Sequence, residues 1–396
     1  MIIPAAALGQ EIFVPLVPRG IKQPQRTEVE WHFAPHMYSN PYQDLLYAGC
    51  ASNSVAARGH RSIENAVSAI EKSTFAGPKV LHLHWLNVVL AGTKSDSDIN
   101  SAIAIFEKQL DRAIAAGAKI AWTVHNVLPH ESFQKEPSIR VRKLVVERAS
   151  MIHIMSPETV AACAPFFEIP SELVVRCEHA GYNGYFNSPD AATDILRMWG
   201  LPHGGKTGVI VGGIKPYKGL NEFAEQFVSA TAHNPRSLQM IIAGKPDDDF
   251  LKSKLFALAE LSPNLHVIPR MITDDQVAGL MTAADFSVIP YQSSLNSGAL
   301  VLGLTFGNPV LARQSAGSTH LLESGAGRVY SDDNELASLL NNPDWIDTAR
   351  PHAERLSREL DHDVVTNNFA RMIRSFALDS VHVARETVGS NGGMNV

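Results

Sequence analysis

Three groups of residues in this 396-residue chain combine reactive side chain types at spacings that bring them together. The first is H-L-H-W (His82 to Trp85) with H-N-V-L-P-H-E (His125 to Glu131), each at the end of a short apolar run. In a strand alternate residues share a face, so His82 and His84 project together. Imidazole and carboxylate groups at a strand end can take a proton from a hydroxyl. Trp85 offers a ring face for stacking on a sugar, with Asn126 and His130 as polar neighbours. The competing reading is a set of satisfied core histidines. H-x-H can also begin a metal site, but no third ligand accompanies it, so no metal is expected.

The second group is G-G-I-K-P-Y-K-G-L (Gly212 to Leu220), directly after an apolar run. Two glycines let backbone N–H groups approach a ligand closely, and the following helix presents its positive end. Lys215 and Lys218 add two cations, which suits a diphosphate. The pattern is neither a P-loop nor G-x-G-x-x-G. The third is P-Y-Q-S-S-L-N-S-G-A-L (Pro290 to Leu300), where Asn296, Ser297 and Gly298 open an apolar helix with a good cap and uncrowded amides. Both can also be read as ordinary turns and caps. Asp96-Ser97-Asp98 is expected to cap a helix, and Asp247 to Asp249 to be a solvated loop.

These groups need a scaffold that gathers strand ends. Glu28–Pro35, Lys79–Leu86, Lys119–Asn126 and Met151–Ser156 read as strands, with amphipathic helices at His60–Ser73 and Asp98–Gly117. A second series of strands runs through Thr207–Ile214, Leu238–Gly244, Leu265–Arg270, Asp285–Tyr291, Pro309–Arg313 and Gly327–Tyr330. Strand, helix, strand at this spacing implies right-handed parallel crossovers. The expectation is therefore an α/β protein with two Rossmann-like domains, at 1–186 and 207–375. A Pro- and Gly-containing linker lies between them at 187–206, and a tail follows at 376–396. In open parallel sheets ligands bind at the carboxyl ends of strands, where all three groups fall.

Composition narrows the function. Hydrophobic residues make up 45% and charged residues 19%, as in a folded globular protein. Residues 1–186 hold 17 Lys+Arg and 17 Asp+Glu; residues 187–396 hold 17 and 23 and carry the whole formal charge of −6. Nucleic acid is not an expected partner. Three scattered cysteines indicate a reducing compartment. The apolar start lacks the basic flank of a signal peptide and reads as a loosely packed segment. Lys135–Arg148 mixes five basic residues with apolar ones, so it reads either as a helix resting on an anionic membrane surface or as a solvated face.

At these positions the sequence resembles the GT-B glycosyltransferases, and within them the GDP-mannose:glycolipid β-mannosyltransferases of xanthan-type exopolysaccharide synthesis. N-P-Y-Q-D-L-L-Y, H-L-H-W, T-V-H-N-V-L-P-H-E, I-K-P-Y-K-G, the I-P-Y to N-S-G-A-L run and P-V-L-A carry the likeness. It implies an acceptor-binding first domain facing a donor-binding second one. Gly213, Lys215, Lys218, Asn296, Ser297 and Gly298 would hold the diphosphate. Gly244, Lys245, Arg270 and Tyr291 would flank the rest of the nucleotide sugar, with Trp85, Asn126 and His130 on the acceptor.

Ser294 and Leu302 stand where many retaining members place a Glu-x7-Glu pair. That favours inversion, which needs a base: His125 or Glu131, with His84 third. The implied reaction is metal-independent transfer of mannose, with no cofactor, to a lipid-linked saccharide. The implied location is the cytoplasm, peripheral to the inner face of the cell membrane. The rivals are a retaining UDP-sugar transferase on a soluble acceptor, a nucleotide-sugar epimerase and a non-catalytic binder.

Overall fold

The computed structural model describes residues 21–38, 40–129, 134–186, 195–197, 199–201, 205–232 and 238–379. The N-terminal segment 1–20, most of the linker, the tail from residue 380, and both His130 and Glu131 lie outside these residues.

The first half contains β1 (Val29–Ala34), α1 (Tyr42–Leu46), β2 (Val55–Gly59), α2 (Ile63–Lys72), β3 (Lys79–Leu83) and α3 (Asp96–Ala115). It continues with β4 (Ala118–Thr123), α4 (Lys135–Arg148), β5 (Ala149–Ile154), α5 (Thr159–Cys163) and β6 (Val174–Arg176). Its strands form one parallel sheet in the order β2-β1-β3-β4-β5-β6. Local chemistry sets the helix starts. Ser62 accepts from the Asn65 amide to cap α2, and Ser95 with Asp98 makes a capping box on α3. The Asp96–Asp98 pair is thus a helix start, as expected. On α3 the buried face is Ile103, Phe106, Leu110 and Ala113, whereas Ile114 turns outward.

The second half contains β7 (Lys206–Val211), α6 (Leu220–Thr231), β8 (Leu238–Ala243), α7 (Asp249–Leu261), β9 (Leu265–Ile268) and α8 (Asp274–Ala283). Then come β10 (Phe286–Ile289), α9 (Gly298–Thr305), β11 (Val310–Arg313), β12 (Gly327–Tyr330), α10 (Asp333–Asn341), α11 (Trp345–Glu359) and α12 (His362–Leu378). The second sheet is also parallel, in the order β12-β11-β10-β7-β8-β9. The chain reverses direction across it between β10 and β7. The loops that leave these two strands are the Gly212 turn and the Pro290–Ser297 segment.

One expected boundary is corrected. Helix α12 does not complete the second unit. Val365, Phe369, Ala370, Ile373 and Ala377 pack against Val29, Trp31, Val80 and Met151 on the first sheet. Lys119 Nζ donates to the carbonyls of Phe376 and Ala377 at 2.9 and 3.3 Å. By packing, residues 362–378 belong with the first half, because that sheet has an apolar face which the helix covers. The helix at Lys135–Arg148 has one face in the core. Ile139, Val141 and Val145 are buried in the core, and Arg148 pairs with Glu107 and Asp111. Only Lys135, Arg140 and Lys143 of its basic residues are exposed.

Candidate active site

The carboxyl ends of β3 and β4 bring His84, Trp85 and His125 to one wall of a cleft of about 660 Å³. Lys215, Tyr217 and Asp247 from the second half form the other wall. The two halves touch directly here: the Asn296 amide nitrogen donates to the carbonyls of Val124 and His125 at 3.2 and 3.1 Å.

Behind His125 the sheet carries a row of polar groups on the face that α12 covers. The H-x-H spacing places His82 and His84 together, with ring centroids 4.5 Å apart. Trp31 Nε1 lies 3.1 Å from His82 Nδ1, and Tyr47 Oη is 2.7 Å from both His82 Nδ1 and His84 Nε2. His84 Nδ1 is 2.9 Å from His125 Nε2. His82 Nε2 reaches Thr123 Oγ1 at 2.8 Å, which reaches His153 Nδ1 at 3.0 Å, and His153 Nε2 meets the Cys177 carbonyl at 3.0 Å.

The tautomers follow by assignment from the groups with fixed roles. An indole N–H can only donate, so His82 Nδ1 accepts. Tyr47 then donates to that nitrogen and accepts from His84 Nε2–H. His84 Nδ1 is left to accept from His125 Nε2–H, and the lone pair of His125 sits on Nδ1. At the other end a carbonyl can only accept, so His153 carries its proton on Nε2. Every assignment is consistent with neutral rings. Burial is the leading cause that pushes His82, His84 and His125 well below the ordinary imidazole range, with neighbouring histidines adding to it. His153 and His179 are pushed down to about 4, also by burial. Trp85 stacks on His125 at 4.3 Å with the rings 16° apart, which fixes the imidazole plane. His84 is 1% exposed and its Nδ1 lies against His125 Nε2, so at this wall it orients that ring.

Across the cleft, Gly219 has φ of +62° and caps α6, and a side chain there would come 2.8 Å from the Pro290 carbonyl. A Cβ on Gly244 would lie 1.9 Å from the Gly212 carbonyl, so the β7 and β8 loops close on each other only with glycine. Lys215, beside Gly213, is half exposed and 3.7 Å from Asp247. Lys218 is 9% exposed, and its Nζ lies 5.1 Å from the Tyr291 ring centroid. Burial is the main cause that lowers its pKa. Two cations therefore flank the glycine turn, one of them desolvated.

Ser297 caps α9 through the Leu300 amide, and its own N–H donates to Ser318 Oγ at 3.1 Å. Gly298 leaves room for Tyr182, whose Oη would be 2.8 Å from an added Cβ. The Asn296 amide nitrogen is engaged with the first half, where it braces the two walls. Lys245 is exposed, and Arg270 lies over the Trp199 ring at 5.4 Å. Asn126 lines the cleft. Leu302 packs beside the apolar cluster of Val209, Ile241 and Met281, and Ser294 Oγ donates to the Asn296 carbonyl.

Residues 205–342 match the family model of group 1 glycosyl transferases. The chain is a glycosyltransferase. Its two six-stranded parallel sheets have the GT-B architecture, which it shares with HepE of Anabaena solved with UDP and with sucrose-phosphate synthase of Thermosynechococcus elongatus. The first likeness has a TM-score of 0.62 at 16% identity over 88% of this chain and 100% of that one. The second has a TM-score of 0.63 at 15% identity over 89% and 99%. In sequence the glycosyltransferase is 23% identical to a GDP-mannose:glycolipid 4-β-D-mannosyltransferase of Xanthomonas campestris, over 77% of this chain and 79% of the relative.

Sequence reasoning did not single out Tyr47, Thr123, His153 or Arg142 of this glycosyltransferase. Tyr47 and Thr123 stand within or beside the stretches that carried the resemblance. Their spacing gave no sign that they join the histidines, since the sheet order brings them together.

Proposed function

We propose that the enzyme transfers mannose from GDP-mannose, with inversion, to a hydroxyl of a lipid-linked saccharide. The observation that carries this reading is the opposition of His125 on one wall and the Lys215–Lys218 turn on the other. The acceptor hydroxyl attacks the anomeric carbon, its proton passes to Nδ1 of His125, and the bond to the diphosphate oxygen breaks. The departing electron pair is held by Lys215, Lys218 and the positive start of α6, groups aimed at charge that develops in the transition state. Trp85 and Asn126 receive the acceptor in the first half, and the second half binds the nucleotide sugar. Mannose, guanine and a glycolipid are supported by the Xanthomonas relative's specificity. The reaction needs no metal in this reading, because the two lysines supply the positive charge.

Location at the inner membrane face is part of the same proposal. Among the described residues no helix is long and apolar enough to cross a membrane, and Lys135, Arg140 and Lys143 offer a small basic face. The UDP and UDP-glucose complexes of HepE favour a second reading, retaining transfer from a UDP-sugar. Ser294 and Leu302 speak against it. A thermal-shift panel of GDP, UDP, ADP and dTDP separates the two, since a ligand that binds only the folded state stabilises it by mass action. GDP is expected to give the largest shift; a larger one with UDP overturns the donor assignment.

A further inference from the structure

The hydrogen bonds that link the buried row behind His125 all run the same way in the assigned tautomers. His125 donates to His84, His84 to Tyr47, Tyr47 to His82, His82 to Thr123 and Thr123 to His153, which donates to the Cys177 carbonyl. The five links between side chains are 2.7–3.0 Å long. Each inner group can therefore release a proton at one atom as it takes one up at another or at the same oxygen. Tyr47, His82, Thr123 and His153 are fully buried. Phe369 of α12 closes the face over His82 and His153, with ring centroids 6.4 and 5.0 Å away.

A cation in a dry interior is costly unless hydrogen bonds or an opposite charge meet it. Burial pushes His82, His84 and His125 below the ordinary imidazole range, and neighbouring histidines add to it. At His153 burial is again the main influence and His179 adds to it, but the Cys177 carbonyl and the Glu178 carboxylate push the other way. A positive charge is therefore better held at the far end of the row than at its start. Trp31 sets the resting direction, because its Nε1–H points at His82 Nδ1 and keeps a lone pair there. A proton on that nitrogen displaces the indole N–H, so the row returns to its resting direction once the charge has left.

We propose that His84, Tyr47, His82, Thr123 and His153 form a proton relay for the transfer reaction, with His153 as the group on which the cation comes to rest. They act through His125, and the inference rests on His125 being the base. As the acceptor O–H bond breaks, its proton joins Nδ1 of His125. The Nε2 proton of His125 passes to Nδ1 of His84, that of His84 Nε2 to the Tyr47 oxygen, and the Tyr47 proton to Nδ1 of His82. The Nε2 proton of His82 passes to Oγ1 of Thr123, and the Thr123 proton to Nδ1 of His153. His153 then holds both ring protons. Every other group ends with as many protons as it began with, and nothing is oxidised or reduced. After the product leaves, the hops reverse and His125 releases the proton into the cleft.

Single-turnover transfer to a lipid-linked acceptor tests it, with GDP-mannose as donor, or UDP-glucose if UDP gives the larger thermal shift. His125→Gln is measured first and should lose about 10²–10⁴-fold. Turnover that survives that change removes the base reading. Thr123→Val then cuts the row at its middle but leaves the resting tautomers on the His125 side in place, since Trp31 still fixes His82 and the bonds through Tyr47 and His84 remain. A row that only orients His125 would keep its rate in this variant. The relay predicts a fall of about 10- to 100-fold, the range for a hydrogen bond to a charged group, with GDP affinity unchanged. Nitrogen NMR of labelled histidine should still find the His125 proton on Nε2. Thr123→Ser restores the hydroxyl and should recover most of the rate. If the valine variant does not fold, His153→Gln carries the test: its amide can hydrogen-bond but cannot hold the cation, and the same loss is expected. With His125→Gln impaired, a wild-type rate in Thr123→Val or His153→Gln overturns the relay alone. So does a serine variant as slow as the valine one, or a His125 proton that has moved to Nδ1 in the valine variant.

Discussion

Replacing Tyr47 by phenylalanine removes one oxygen and two hydrogen bonds, and its effect on the reaction can be worked out from the tautomer chain. The ring is fully buried and packs against Phe33 at 4.1 Å, so phenylalanine fits the same space. His82 Nδ1 keeps its bond from Trp31. His84 Nε2–H loses its acceptor in a dry site. Leaving a buried donor unsatisfied costs about 1–3 kcal/mol. The protein escapes this cost by moving the His84 proton to Nδ1, where it faces His125. His125 must then carry its own proton on Nδ1, the nitrogen proposed to receive the acceptor's proton. The working tautomer becomes the minor one by that same 1–3 kcal/mol, a factor of about 5–150. Turnover of Tyr47→Phe should fall by about that factor, with donor KM within about twofold of wild type. Nitrogen NMR of labelled histidine should show the proton of His125 shifted from Nε2 to Nδ1. Unchanged turnover, or a tautomer that stays on Nε2, refutes the reasoning.

Two further outcomes follow from the same geometry. Lys218→Ala should weaken nucleoside diphosphate binding by about 1.5–3 kcal/mol, since the cation is desolvated beside the glycine turn; unchanged affinity by calorimetry removes Lys218 from the donor site. Stability should fall as the solution is acidified from about pH 6.5 to about 4. His153 and His179 have folded-state pKa values near 4, below the ordinary histidine value, so in that window the unfolded chain binds more protons. Each contributes a slope of about 1.4 kcal/mol per pH unit, present in full above the unfolded value and lost on the way down. Urea midpoints that stay flat across this range would contradict neutral buried rings.

The alternation of apolar runs with helical periodicity was enough to read two parallel α/β units, because buried parallel strands write themselves as short continuous apolar stretches. Strands β2 and β6 escaped for the same reason in reverse. Both are sheet edges: β2 carries exposed Arg58 as its penultimate residue, and β6 is three residues without a buried side chain. The return of α12 to the first sheet was also illegible, since an amphipathic pattern records that a helix has a buried face but not which sheet lies beneath it. Within the site, the shared face of His82 and His84 followed from the period of a strand. Arg142 did not: a basic residue in a basic helix reads as solvated, and only the packing of α4 shows it turned inward. Asn296 was legible as a helix-start residue, but its bonds to Val124 and His125 depend on how the halves meet.

The stereochemistry of the product tests the central claim most directly. In GDP-mannose, the proposed donor, mannose is α-linked to the diphosphate, and the proposed single displacement assisted by His125 would invert it. The product of GDP-mannose and a lipid-linked acceptor should therefore carry a β-mannosyl linkage, read from the one-bond carbon–hydrogen coupling at its anomeric centre by NMR. An α linkage would contradict the account and leave His125 as an acceptor-binding group only.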